Sequence, residues 1–182
     1  MKKYILLILL ILNLSSCSFN FLRTVEDEKF ALEMIAKGIL HLRAGNLDDA
    51  EAAFLLANEI VYNPAAIDGL GCVEFNRGNF YKAERLFIDA FDENSNYFNS
   101  LGNLALLYEM VGHTKEANKL YQIATSANPK NYKIKNNFGG FLFDNYNNDS
   151  YKGMLARQEI LKAKNIHPDN LILSNLEIIS KE

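Results

Sequence analysis

The 182-residue chain has no tryptophan, three prolines, three histidines and two cysteines. Two cysteines cannot build the dense disulfide framework of a small secreted scaffold. So few prolines, with ten glycines and an apolar share of 49%, exclude a collagen-like or Pro/Gly-rich disordered chain. Positive charge is not in excess either. Nineteen Lys and Arg stand against 22 Asp and Glu, which argues against a nucleic-acid or anionic-lipid surface. The longest apolar run is the nine residues Tyr4 to Leu12. That falls short of the roughly 20 a helix needs to cross a hydrocarbon core.

The short run sits in a recognisable context. Lys2 and Lys3 precede it, and Asn13-Leu14-Ser15-Ser16-Cys17 follows, giving a basic region, an apolar stretch and a small-residue cut site. Residues 1–16 therefore read as a signal peptide. Leu14-Ser15-Ser16-Cys17 resembles the lipobox of bacterial lipoproteins. The resemblance implies that the Cys17 thiol becomes a thioether to diacylglycerol and that its new α-amine is acylated, a multi-chain anchor stronger than any single lipid. Ser18, rather than Asp, after Cys17 implies the outer membrane, with the chain on its periplasmic face. Taking 16 of the 182 residues away leaves 166, and losing two cations moves the formal charge from −3 to −5. Residues 17–23 would be a lipidated tether, and Cys72 would have no intrachain partner. Cys72 lies between Gly71 and Val73 in an apolar helical segment, where a free thiol packs as a small core residue.

The mature sequence repeats. Gly38, Gly71, Ala105 and Gly139 recur at steps of 33, 34 and 34 residues. Gly45, Gly78 and Gly112 keep the step, as do Ala50, Ala83 and Ala117, the aromatics Phe54, Phe87 and Tyr121, and then Ala57, Ala90 and Ala124. Apolar residues at i, i+3, i+4 and i+7 predict two amphipathic helices per unit. The small residue lets the helices approach and the aromatic fills the space between them. The second set of glycines ends each first helix in a left-handed conformation. Asp48 and Thr114 are expected to cap second helices. A period near 34 with these residue types resembles the tetratricopeptide repeat, and Leu101, Leu104, Ala105, Tyr108, Ala117, Tyr121, Ala124 and Pro129 carry the resemblance best. The predicted fold is an all-α helical-repeat solenoid over 24–182. Its units are about 30–63, 64–96, 97–130 and 131–168, four helix pairs, with a capping helix over 171–180. Thr24 and Asp27 mark the first helix start. In the fourth unit Ala163 and Pro168 follow Ala124 and Pro129 by 39 residues, and the five extra residues are expected as a loop in the Asn-rich stretch Asn145 to Tyr151.

Catalytic patterns are missing from the sequence. His41, His113 and His167 fall in different units with no i, i+4 pair to hold zinc, and neither a nucleophile elbow nor a phosphate loop occurs. The chain is expected to be no enzyme and to need no metal or other cofactor. In tetratricopeptide solenoids the first helices line a concave groove that holds an extended peptide or a partner helix. By phase, that resemblance places Ile39, Leu42, Phe75, Asn76, Asn99, Leu106, Glu109, Met110, Asn136 and Phe143 along it. Asparagine amides bond a peptide backbone in both directions, and Met and Phe give adaptable apolar contact. The lysines of a carboxylate clamp are not evident, since Asp68 and Gly102 occupy two positions where one would stand.

One segment is more specific. Asn136-Asn137-Phe138-Gly139-Gly140-Phe141-Leu142, preceded by Ala124 and Pro129, resembles the signature of type IV pilus biogenesis and stability lipoproteins, the pilotins. The resemblance implies an outer-membrane lipoprotein whose repeats bind the pilus secretin and help it localise and assemble. Members of that family usually carry further repeats beyond the four read here. The alternative partner is a periplasmic protease or a peptidoglycan enzyme, for which the chain would be a repeat adaptor.

Overall fold

The computed structural model describes residues 24–146 and 150–180. The residues read as a signal peptide and a lipidated tether, Cys17 among them, lie outside these residues, as do 147–149. Among the described residues there are only helices: α1 (24–43), α2 (Leu47–Ile60), α3 (Pro64–Asn76), α4 (Phe80–Glu93), α5 (Phe98–Met110), α6 (Thr114–Ala127), α7 (Tyr132–Tyr146), α8 (Ser150–Ile166) and α9 (Asn170–Ser180). None of them is long and apolar enough to cross a membrane. They form four antiparallel pairs followed by one further helix, the tetratricopeptide-like solenoid predicted from the period.

The repeated residue types account for the pairing. Phe54, Phe87 and Tyr121, one on each of α2, α4 and α6, are essentially fully buried, and so are the alanines four residues before and three after each. Each aromatic lies against the small residue of a first helix. A methyl group built on Gly38 would come within 2.7 Å of the Phe54 ring, and one on Gly71 within 2.5 Å of Phe87. Burying such a ring contributes about 1.5–3 kcal/mol, so the glycines secure more by close approach than they lose in helix propensity, about 1 kcal/mol each.

The first helices end as the sequence indicates. Gly45, Gly78 and Gly112 have φ of 79°, 79° and 82°. The next residue in each case donates back five positions: Asn46 to His41 O at 2.9 Å, Asn79 to Glu74 O at 2.9 Å and His113 to Tyr108 O at 2.7 Å. With the glycine N–H donating back three positions as well, to Leu42, Phe75 and Glu109 O, this double closure satisfies carbonyls that a helix end otherwise leaves open. The expected caps on second helices are different. Asp48 and Thr114 lie inside the first turns of α2 and α6, and the preceding Asn46 and His113 make no side-chain cap. Because the glycine turn carries the chain straight into the second helix, no residue there is left extended to cap it. Asp48 instead accepts from Arg77 at 2.6 Å, and Arg77 also pairs with Glu51 and Glu74, tying α2 to the turn after α3. Side-chain caps occur on first helices: Asn63 accepts from Ala65 N, Asn131 from Lys133 N and Ile134 N, and Asp169 from Ile172 N.

The fourth unit absorbs its extra residues in helix. α7 has 15 residues against 13 in α5, and α8 has 17 against 14 in α6. The two longer helices account for all five, and Asn145, Tyr146, Ser150 and Tyr151 are helical rather than looped. The second helix then resumes phase 39 residues on, with Ala156, Ile160 and Ala163 buried where the third unit has Ala117, Tyr121 and Ala124. α9 closes over this pair through Ile172, which packs with Ile160 and Ala163.

Candidate binding groove

First helices touch one another in sequence, α3 with α5, α5 with α7 and α7 with α9, and so line one face of the solenoid. Two cavities open there. The larger, about 750 Å³, lies between α1, α3, α5 and the start of α7. The smaller, about 380 Å³, lies between α5, α7 and α9.

Of the residues placed on the groove by phase, Ile39, Leu42 and Asn99 line the larger cavity. Leu106, Glu109, Asn136 and Phe143 line the smaller. Phe75, Asn76 and Met110 line neither. The half-buried Phe75 ring packs on Phe80 with centroids 5.7 Å apart, against the edge of the α3–α4–α5 core. Asn76 donates to the Cys72 carbonyl of its own helix at 2.8 Å, and Met110 is 60% exposed at the end of α5. Asn136 is only 5% exposed, and its side-chain oxygen accepts from Asn175 of α9 at 3.0 Å.

The most polar part of the wall lies at residues that phase does not single out. Asp68, 7% exposed, accepts from Asn103 Nδ2 at 2.9 and 3.1 Å and from the Tyr97 hydroxyl at 3.2 Å. The same Asn103 amide reaches the Cys72 sulfur at 3.5 Å. Cys72 is therefore not sealed in the core; it is half-buried and lines the groove. Burial first, and then the Asp68 charge, push its thiol well above its ordinary value, so it is not an activated nucleophile. Asn131 donates to Asn99 at 2.7 Å while capping α7, which fixes the edge of the larger cavity. Asn103, Asn137 and Asn175 hold equivalent positions in successive units, two of them 34 residues apart, and that step is their signal in the sequence. Asn103 bonds Asp68 in the unit before it, and Asn175 bonds Asn136. For Asn137 the matching position in the unit before it is Gly102, which has no side chain to bond, and among the described residues the Asn137 side chain makes no hydrogen bond.

Burial raises the Asp68 carboxyl from 3.8 to about 6, against the hydrogen bonds from Asn103 and Tyr97 that favour its ionised form. The folded chain thus holds this proton more tightly than the unfolded one. Ionised Asp68 costs stability above about pH 6, and the cost vanishes as pH falls below about 4. Comparing urea unfolding of wild type and Asp68→Asn should show the wild type gaining about 2–3 kcal/mol on the variant between pH 7 and pH 4. A difference that does not change with pH would contradict this account of Asp68.

The paired helices, glycine turns and concave first-helix face define the tetratricopeptide-repeat fold. Among solved structures, that of a thermophilic repeat protein from Thermus thermophilus is similar with a TM-score of 0.71 at 15% identity, over 83% of this chain and 81% of that one. That of Pseudomonas aeruginosa pilF gives 0.68 at 16%, over 86% and 70%. A tetratricopeptide repeat protein from Parabacteroides merdae gives 0.57 at 21%, over 84% and 60%. No protein-family model matches the chain, and no curated protein matches it significantly.

Proposed function

We propose that this chain is a lipid-anchored, non-catalytic scaffold whose groove takes an extended segment of a protein partner, and that the partner is a type IV pilus secretin. The open first-helix face carries the first part. It joins two cavities of about 750 and 380 Å³ and is lined by carboxamides that can both donate and accept along a peptide backbone. The pilus reading draws on the lipobox at Leu14 to Cys17, the resemblance of Asn136 to Leu142 to pilotins, and the shared fold with Pseudomonas aeruginosa pilF. On this reading the chain acts by concentration. A lipid on Cys17 confines it to the outer membrane, and each groove then meets secretin subunits at a high effective concentration on that surface.

The test is co-purification of the tagged chain from detergent-solubilised membranes. A large secretin ring is expected, together with loss of secretin multimers and piliation when the gene is deleted. Unchanged multimers would end the pilus reading, and a soluble hydrolase in place of the ring would favour the adaptor role. Cys17→Ala should abolish fatty-acid labelling and release the chain from membranes; a label that persists would refute the anchor.

A further inference from the structure

The charges that line the groove are sorted by sign. Arg43, Lys130 and Lys133 line the larger cavity, all exposed, and among the described residues none joins an ion pair. The acid beneath them, Asp68, is buried with both oxygens already accepting hydrogen bonds. The surface a ligand meets there is therefore cationic. Lys133 and Cys72 line this cavity together. The smaller cavity has the opposite sign. Its charged lining is Glu109 and Asp144, and no cation among the described residues lines it. The same cavity is lined by Leu106, Phe143, Leu171 and Ile178.

This arrangement runs against what the helices themselves favour. Lys133 stands in the first turn of α7, Asp144 in its last turn, and Glu109 in the last turn of α5. Cations near a helix N-terminus and anions near a C-terminus each oppose the helix dipole, by about 0.3–1 kcal/mol. Local helix stability does not account for charges placed this way, whereas a bound segment of complementary charge does. Asn137 lines both cavities and offers a carboxamide with no partner among the described residues, so the two form one continuous site. A free carboxamide suits an extended segment, whose backbone N–H and C=O are open, and not a helix, whose own bonds consume them.

Resting on the protein-binding reading above, we propose that the groove selects an extended partner segment by charge order. An acidic side chain lies over Lys130 and Lys133, apolar side chains fill the space around Phe143 and Leu171, and a lysine or arginine lies beside Glu109 and Asp144. The spacing follows from α7. Lys133 and Asp144 are eleven residues apart on it, about 16 Å at 1.5 Å per residue, which roughly five extended residues span at about 3.3 Å each.

The experiment is selection of a random twelve-residue peptide library on the full chain in detergent, followed by fluorescence anisotropy with a synthetic copy of an enriched peptide and one with its charges exchanged. Enriched peptides should carry an acid about five positions from a base with apolar residues between them. The charge-exchanged copy should bind about tenfold or more weakly, and a Lys130→Glu, Lys133→Glu, Asp144→Lys variant should invert that preference. All three positions are exposed, and circular dichroism will confirm that the variant stays helical. Enriched peptides without charge order, bound equally by wild type and variant, would overturn the selection rule while leaving the protein-binding reading intact. Failure to enrich any peptide would overturn both.

Discussion

Tyr121→Ala is expected to cost about 3–5 kcal/mol of stability, a large share of what a chain of this size has to lose. The ring is fully buried, with Phe138 stacked on it at 5.5 Å and Phe141 tilted against it at 5.4 Å, both from α7. It thus joins the third helix pair to the fourth. In a solenoid each unit is stabilised mainly by its neighbours, so a defect at this junction uncouples the two halves. The hydroxyl adds a second term by donating to Glu109 Oε2 at 2.8 Å. Burial raises the Glu109 carboxyl, and this hydrogen bond is what offsets it. Tyr121→Phe keeps the ring and removes only that bond, so its expected cost is about 1–2 kcal/mol. Urea unfolding of both variants separates the terms. A Tyr121→Ala loss under about 1 kcal/mol would mean that the ring does not hold the junction, whatever its burial.

Tyr121 also belongs to the part of the fold that is legible in the sequence. Phe54, Phe87 and Tyr121 can be read there because a period of 33 and 34 residues puts one aromatic against one small residue in each unit, and both sides of that contact recur. The turn glycines are legible for a similar reason, since a left-handed residue after a helix is almost always glycine. The groove is harder to read. A first helix shares its face between the core and the concave surface, and a shift of one residue moves a side chain from one to the other. Phase alone thus places Phe75, a half-buried residue packed on Phe80 at the edge of the core, on the same wall as Asn99. The carboxamide ladder is hidden because its rungs are contacts between units, Asn103 with Asp68 and Asn175 with Asn136, and the 34-residue step shows equivalence but not contact. The Asn-rich insertion misleads for another reason. Asparagine favours turns, yet at Asn145 its side chain bonds Phe141 O of the same helix at 2.9 Å, and packing of the longer α7 on α8 outweighs the local preference.

Gly139 and Gly140, adjacent in α7, should respond to the same substitution with opposite signs. A methyl group on Gly139 would lie 2.4 Å from Ile160 Cγ1 and 3.0 Å from the Ala156 carbonyl oxygen. The second contact is backbone and cannot turn aside, so Gly139→Ala must push α7 and α8 apart, at about 1–3 kcal/mol. The α5–α6 pair already accommodates a methyl group at the matching position, Ala105. The cost therefore measures how far α8 can follow that arrangement. Nothing lies within 4 Å of a methyl group on Gly140, and the backbone there is ordinary helix. Gly140→Ala removes only unfolded-state freedom and should stabilise by about 0.5–1 kcal/mol. Its methyl group would enter the smaller cavity, which Gly140 lines beside Asn137 and Phe143. A glycine that helix stability disfavours, at a point where the fold has room for more, is what a groove needs if a backbone is to lie close against it. Gly140→Ala should accordingly raise the unfolding midpoint and weaken binding of an enriched peptide, while Gly139→Ala lowers the midpoint. If Gly140→Ala stabilised the fold and left peptide affinity unchanged, the bound segment would not run over α7.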